Sequence, residues 1–236
     1  MERFGTTPWT LVLDAQTAIT SGGQRALAAL CELYWYPLYA YLRRRGHSPE
    51  DAQDLTQGFF AYFLEHHALQ AVDQTRGRFR SFLLAALNHY VSNARDRDRA
   101  QKRGGTAARV SFDHGTAEAR YAREPADRWT PERVFDRNWA LTVLDHVLAR
   151  VRDDYRTDGK GELFEHLNVC LTGDRVDVSY RELGGMLGMT EGAVKQAVHR
   201  LRRRYREILY AEIGRTVSTV DQIDRELQYL MAAVTR

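Results

Sequence analysis

The stretch SYRELGGMLGMTEGAVKQAVHRLRRRYR, Ser179 to Arg206, constrains this chain more than any other part of it. Ser179 followed three residues later by Glu182 matches a capping box and places a helix start near Tyr180. Leu183 and Leu187 give that helix an apolar face. Gly188 stops it, because glycine tolerates the left-handed backbone that closes a helix. Thr190 then caps a second helix, in which Val194, Val198, Leu201 and Tyr205 recur at helical spacing and are predicted to pack against the first. The other face carries Lys195, Gln196, His199, Arg200 and Arg203, with Arg202, Arg204 and Arg206 around it, and no acid stands between Glu191 and Glu207. A short helix, a tight turn and a basic second helix are what major-groove readers present to DNA. A basic helical run also serves as a plain solvated face, so the rest of the chain has to decide.

The chain has 236 residues, 44% of them hydrophobic, which suffices for one large domain or two small ones. The net charge is only +3, so the placement of charge says more than its sum. Lysine stands only at Lys102, Lys160 and Lys195, and arginine supplies the rest of the 34 basic residues. Arginine suits bidentate contact with phosphate and guanine better than lysine does; a GC-rich genome produces the same skew. Cys31 and Cys170 each sit in an apolar helical pattern, which predicts buried free thiols in a reducing compartment. No Cys or His spacing matches a zinc site. No apolar run approaches a membrane span, and MERFGTTPW lacks the apolar core of a signal peptide, so a cytoplasmic protein is expected. No clustered carboxylates, activated nucleophile or glycine-rich phosphate loop suggests an enzyme, and no cofactor is implied.

In chain order, a short apolar helix follows Pro8. Ser21 and Gln24 open a long helix to about Arg45, with Leu30, Leu33, Tyr34, Leu38, Tyr41 and Leu42 on its buried side and Pro37 as a kink site. Ser48 and Pro49 open the next, from Glu50 to about Glu65, whose core face is Ala52, Leu55, Phe59 and Phe63. A third runs from about Phe79 to Arg103 and changes from apolar (Phe82, Leu83, Leu87, Val91) to charged (Arg95, Arg97, Arg99). Residues from Gly104 to about Arg128 lack periodicity and read as a linker. Thr130 and Pro131 restart helix to about Asp154, a looser helix spans about Glu162 to Leu171, and Val220, Ile223, Leu227, Leu230 and Val234 form one stripe at the end. No strand pattern exceeds RVDVSY. The predicted fold is all-α: two small helical domains joined by a flexible linker, the second containing a helix-turn-helix. The bounds are 1–104, a linker over 105–130, a second domain over 131–210 and a helical extension over 211–236.

From about Leu27 to Arg206 the chain resembles a bacterial RNA polymerase sigma factor of the extracytoplasmic-function type. PEDAQDLTQGFFAYFL is similar to the family's polymerase-docking helix, with Asp54, Leu55 and Gln57 at hallmark positions and Asp51 beside them. FRSFLLAALNHYVSNARDRDR resembles its promoter-melting helix, with Asn88 and Arg95 at matching places. SYRELGGMLGMTEGAVKQAVHRLRR resembles its second DNA-binding domain. Three such pieces in order are far more specific than any one. The resemblance implies a factor that binds core RNA polymerase, reads the minus-thirty-five element through its C-terminal domain, and captures unpaired minus-ten bases through its N-terminal domain. It implies no cofactor; an anti-sigma factor is a further candidate partner.

The residues can be sorted on physical grounds. Gln196, His199 and Arg200 face solvent near the start of the second helix, where base edges are reached, while Lys195, Arg202 and Arg203 are better placed for phosphate. On the melting helix Phe79, Tyr90 and Asn88 are candidate linings for a flipped base, with ordinary core as the alternative. Arg78 and Arg80, with Arg95 and Arg97 further along, are candidates to follow the strand or to be solvated. Gln53 and Gly58 stand where the family usually has glutamate. A phosphate on Thr56, between Asp54 and Gln57, adds about −1.5 to −2 charge, so activation by a Ser/Thr kinase is an expectation, against plain packing of a threonine at the edge of the apolar face. The rival readings are a helix-turn-helix repressor or activator without a sigma role, a DNA-processing enzyme, and a helical interaction protein.

Overall fold

The computed structural model describes Val12, Ala15 and residues 21–65, 79–100, 114–124, 129–171, 179–214 and 220–235. The elements in chain order are α1 (Ser21–Arg44), α2 (Pro49–Glu65), α3 (Phe79–Ala100), α4 (His114–Tyr121), α5 (Pro131–Thr157), α6 (Gly161–Leu167), a 3-10 turn (Asn168–Cys170), α7 (Tyr180–Leu187), α8 (Glu191–Gly214) and α9 (Val220–Thr235). No strand occurs among the described residues. The all-α class expected from periodicity is therefore observed. The helix expected after Pro8 and most of the RVDVSY segment lie outside the described residues.

The chain divides into two compact units, one of Met1–Val143 with Gly214–Arg236, the other of Leu144–Ile213. This differs from the division predicted at 104, 131 and 210. The reason is packing: Val134, Phe135, Asn138, Trp139 and Ala140, in the first turns of α5, are buried. Phe135 stacks on Tyr34 at 6.4 Å between ring centroids and meets Tyr41 edge-on at 6.5 Å. Those residues belong to the first unit's core. So do Ile223 and Leu230 of the predicted extension, whose residues 211–213 fall instead in the second unit.

In the first unit, α1 is buried nearly all round. Every residue from Leu33 to Leu42 is buried, Pro37 included, and the helix continues through that proline. A helix apolar on all faces is an interior helix rather than an amphipathic one, so the single buried side predicted for it was too narrow. Gly46 ends the turn after α1 with φ of 88°, and the Ser48 hydroxyl caps α2 by accepting from the Asp51 amide at 3.0 Å. Phe59 packs on Phe63 at 5.4 Å and on Tyr90 of α3 at 5.8 Å, and Phe79 meets Tyr34 edge-on at 5.6 Å. Phe59 and Tyr34, fully buried, each contribute roughly 1.5–3 kcal/mol by area alone.

The predicted linker contains α4, which is bound to α1. Glu118 receives Arg43 Nη2 at 2.8 Å and Nε at 3.1 Å, and the Tyr39 hydroxyl donates to it at 2.5 Å. The Arg43 guanidinium holds the Glu118 carboxyl below the usual carboxylate range, and burial pushes the Tyr39 phenol up. Tyr36 and Arg137 both donate to Glu124 at 3.2 Å. Cys31 is buried, and burial raises its thiol to about 12.

The second unit is built on the latter part of α5 with α6, α7 and α8. Val147, Val151, Phe164, Leu167, Leu183, Val194, Val198 and Leu201 form its core. Tyr205 donates to the Leu144 carbonyl at 3.3 Å, and burial raises its phenol to about 12. Glu212, 1% exposed, is paired with Arg150. No helix among the described residues is long and apolar enough to cross a membrane.

Candidate nucleic-acid interface

The second unit's surface is set by how α7 is closed at both ends. Both arms of the predicted capping box are made: the Ser179 hydroxyl accepts from the Glu182 amide at 3.2 Å, and the Glu182 carboxylate accepts from the Ser179 amide at 2.7 Å. The Ser179 amide donating to it keeps the Glu182 carboxyl below its ordinary range. Gly188 closes the helix at φ of 63°, and the Met189 amide donates to the Gly184 carbonyl at 2.9 Å. The return is so tight that a β-carbon on Gly184 would lie 2.5 Å from the Met189 carbonyl oxygen. Thr190 then caps α8, accepting from the Ala193 amide at 3.3 Å.

This frame turns Val194, Ala197, Val198 and Leu201 inward and leaves Lys195, Gln196, His199 and Arg200 exposed. Among the described residues these four side chains make no hydrogen bond or ion pair. The arginines beyond them are engaged. Arg202 donates to the Cys170 carbonyl at 3.0 and 3.3 Å, Arg203 to Glu207 at 2.8 Å, and Arg204 to Asp154 at 2.6 and 3.0 Å. The Arg203 pair is an exposed i, i+4 contact worth about 0.3–0.5 kcal/mol, so a phosphate displaces it at little cost. Arg202 fits the expected phosphate role less well, because it ties α8 to the turn at Cys170. Beside Arg200 lies a cleft of about 560 Å³ that Asp154, Asp158, Lys160 and Arg204 also line. Its mixed charge makes the Lys195–His199 side of α8 the more favourable approach for a polyanion.

The first unit departs further from expectation. Phe79 is 6% exposed and packed on Tyr34 and Phe82, so it is core and offers no ring to a flipped base. Asn88 is half-buried, and its carbonyl oxygen already accepts from Tyr41 at 2.9 Å and from Arg45. Arg80, expected at the surface, is 5% exposed and paired with Glu226 of α9. The solvated and strand-following readings of Arg80 both fail in this state. Arg78 lies outside the described residues, as do the side chains of Arg95 and Arg97.

On α2, Asp51 and Asp54 are exposed and Leu55 and Gln57 half-buried, so the expected docking residues do present a partly acidic face. Gly58 has a local reason. A β-carbon there would collide with the Tyr90 hydroxyl, and Tyr90 is held by Phe59 and by Tyr62 at 5.4 Å. The glycine lets α2 and α3 approach, which no sequence pattern announced. Thr56 is not at the edge of the apolar face. It is 0% exposed, and its hydroxyl donates back to the Ala52 carbonyl at 2.7 Å. A kinase reaches it only after this part of α2 is uncovered.

Among the described residues no group of His, Cys, Asp or Glu could hold a metal ion. No family model, curated protein or solved structure matches the chain.

Proposed function

We propose that the chain is a sigma factor that binds core RNA polymerase and directs promoter-specific initiation, making no bond itself and needing no cofactor. The observation that carries this reading is the α8 face: Lys195, Gln196, His199 and Arg200 are exposed, without a hydrogen bond or ion pair among the described residues, at the start of a helix braced by a tight glycine turn. Side chains of these types reach base edges and phosphates from the major groove. The exposed acids of α2 support the polymerase-docking part, since a basic partner would be drawn to Asp51 and Asp54. An anti-sigma factor and a Ser/Thr kinase belong to the same reading as regulators. Kinase action at Thr56 requires its prior exposure.

The second reading is a DNA-binding regulator without a sigma role, located in the cytoplasm like the first. It is favoured by one observation: Phe79, Arg80 and Asn88 are all committed to internal contacts, which leaves the strand-opening part without those three groups. Co-elution of the chain with core polymerase on a sizing column separates the two. A sigma factor co-elutes and supports transcription from a promoter that core alone ignores; a regulator does neither.

A further inference from the structure

We propose that α9 is a built-in occupant of a phosphate site on the first unit: Glu226 holds the position on Arg80 that a backbone phosphate of the unpaired promoter strand takes when α9 leaves. The identity of the strand rests on the sigma-factor reading; the site itself rests on Arg80, Trp139 and Asp136, which stay on α3 and α5 when Glu226 and Tyr229 leave with α9.

Arg80, near the start of α3, is buried between two aromatic rings, Trp139 at 4.2 Å and Tyr229 at 4.7 Å from its guanidinium carbon. It pairs with Glu226, itself 2% exposed, and Nε lies 3.8 Å from the Asp136 carboxylate. Tyr229 in turn donates to Asp136. The arrangement is incomplete in an informative way. Arg80 Nη2 and Trp139 Nε1 are both buried donors with no acceptor among the described residues. A planar carboxylate reached through one guanidinium nitrogen leaves them unmet. A phosphate has more acceptor oxygens and a tetrahedral spread, which suits a guanidinium fork with an indole N–H beside it. Of the two rings Trp139 stays when α9 leaves, and a flat ring beside an arginine is also what single-strand binders use to stack bases.

The occupant has the character of a stand-in. α9 carries Asp221, Asp224 and Glu226 against Arg225 alone, so it brings net negative charge to Arg80, which Asp136 also faces. Among its described side chains Ile223, Glu226 and Leu230 are buried, on one face of a 16-residue helix. A helix of that length is marginal by itself in water, so its order reports on its docking. Removing the Glu226 charge leaves Arg80 buried with weaker compensation, which favours release of α9.

The test uses the full chain. Glu226→Gln and Glu226→Lys are compared with wild type for binding a labelled single-stranded oligonucleotide by fluorescence anisotropy at several salt concentrations. Hydrogen exchange over 220–235 reports α9 docking. Both variants are expected to exchange faster in α9 and to bind the strand more tightly, on the order of tenfold, with a salt slope steeper by about 0.7. Adding Arg80→Ala is expected to cancel the gain. Faster exchange with unchanged affinity overturns the proposal, because α9 then uncovers nothing the strand uses. Unchanged exchange in both variants overturns it too, since Glu226 then does not hold α9, and a lower melting temperature without tighter binding marks an ordinary structural contact. Polymerase is absent from this assay. Failure of the sigma-factor reading shows instead as wild-type chain that does not co-elute with core enzyme.

Discussion

Thr56 offers a test of how far the geometry of α2 governs regulation. Its hydroxyl is closed to solvent and donates to the Ala52 carbonyl at 2.7 Å. In a helix that carbonyl also receives the amide four residues on, so removing the hydroxyl strands no acceptor. Thr56→Val keeps the branched shape and is expected to change the unfolding free energy by less than about 1 kcal/mol. Thr56→Glu forces a carboxylate into a site closed to solvent. Burying an uncompensated charge costs several kcal/mol, a large part of the roughly 5–15 kcal/mol that holds a domain together. A phosphate is larger and more charged than glutamate, so the same argument applies with greater force. Urea denaturation followed by circular dichroism reads both variants, and mass spectrometry reads kinase transfer to folded chain against a free peptide of the same sequence. The expected result is a wild-type midpoint for Thr56→Val, a much lower one for Thr56→Glu, and phosphate on the peptide only. A wild-type midpoint for Thr56→Glu, with transfer to the folded chain as fast as to the peptide, would refute the burial argument and favour the charge-restoring switch.

Arg200→Ala should lose roughly 1–3 kcal/mol of discrimination at one base step, whereas Arg203→Ala should weaken binding evenly and lower the salt slope by about one unit; wild-type preference and slope in both would mean α8 does not face DNA. Gly184→Ala should destabilise the second unit by about 1–3 kcal/mol, since its methyl would meet the Met189 carbonyl; an unchanged melting temperature would mean that the turn relaxes freely. Glu118, held below its ordinary 4.5 chiefly by Arg43, contributes stability that is present above that pH and is lost as pH falls through the lowered folded value. Acid titrations of stability should therefore be shallower below pH 4.5 for Glu118→Gln than for wild type, and coincident curves would remove Glu118 from the account.

Local signals carried over to the structure well, and distant ones did not. The Ser48, Thr130, Ser179 and Thr190 caps involve groups three residues apart, so sequence alone contains both partners. The inward and outward faces of α8 follow from helical period alone. By contrast, α4 is an eight-residue helix whose anchor is Glu118 on Arg43, 75 residues away, and no period reveals such a pair. Arg80 reads from sequence as a surface residue, strand-following or solvated, because its partner, Glu226, stands 146 residues downstream. The all-round burial of α1 is signalled by the unbroken apolar run LYWYPLYAYL, which has no polar face for a single buried stripe to stand against. Gly58 is explained by the Tyr90 hydroxyl on another helix, a relation of packing rather than pattern.

The most direct measurement of the central claim is promoter-selective transcription. Core RNA polymerase is incubated with this chain and a library of promoter fragments, and the run-off products are sequenced. A sigma factor is expected to yield transcripts from a restricted set sharing one upstream element, and the combined loss of Lys195, Gln196, His199 and Arg200 to alanine should abolish that set while co-elution with core persists. Transcripts no different from those of core alone, from a chain that binds the same DNA tightly, would contradict the sigma-factor reading and leave a DNA-binding regulator in its place.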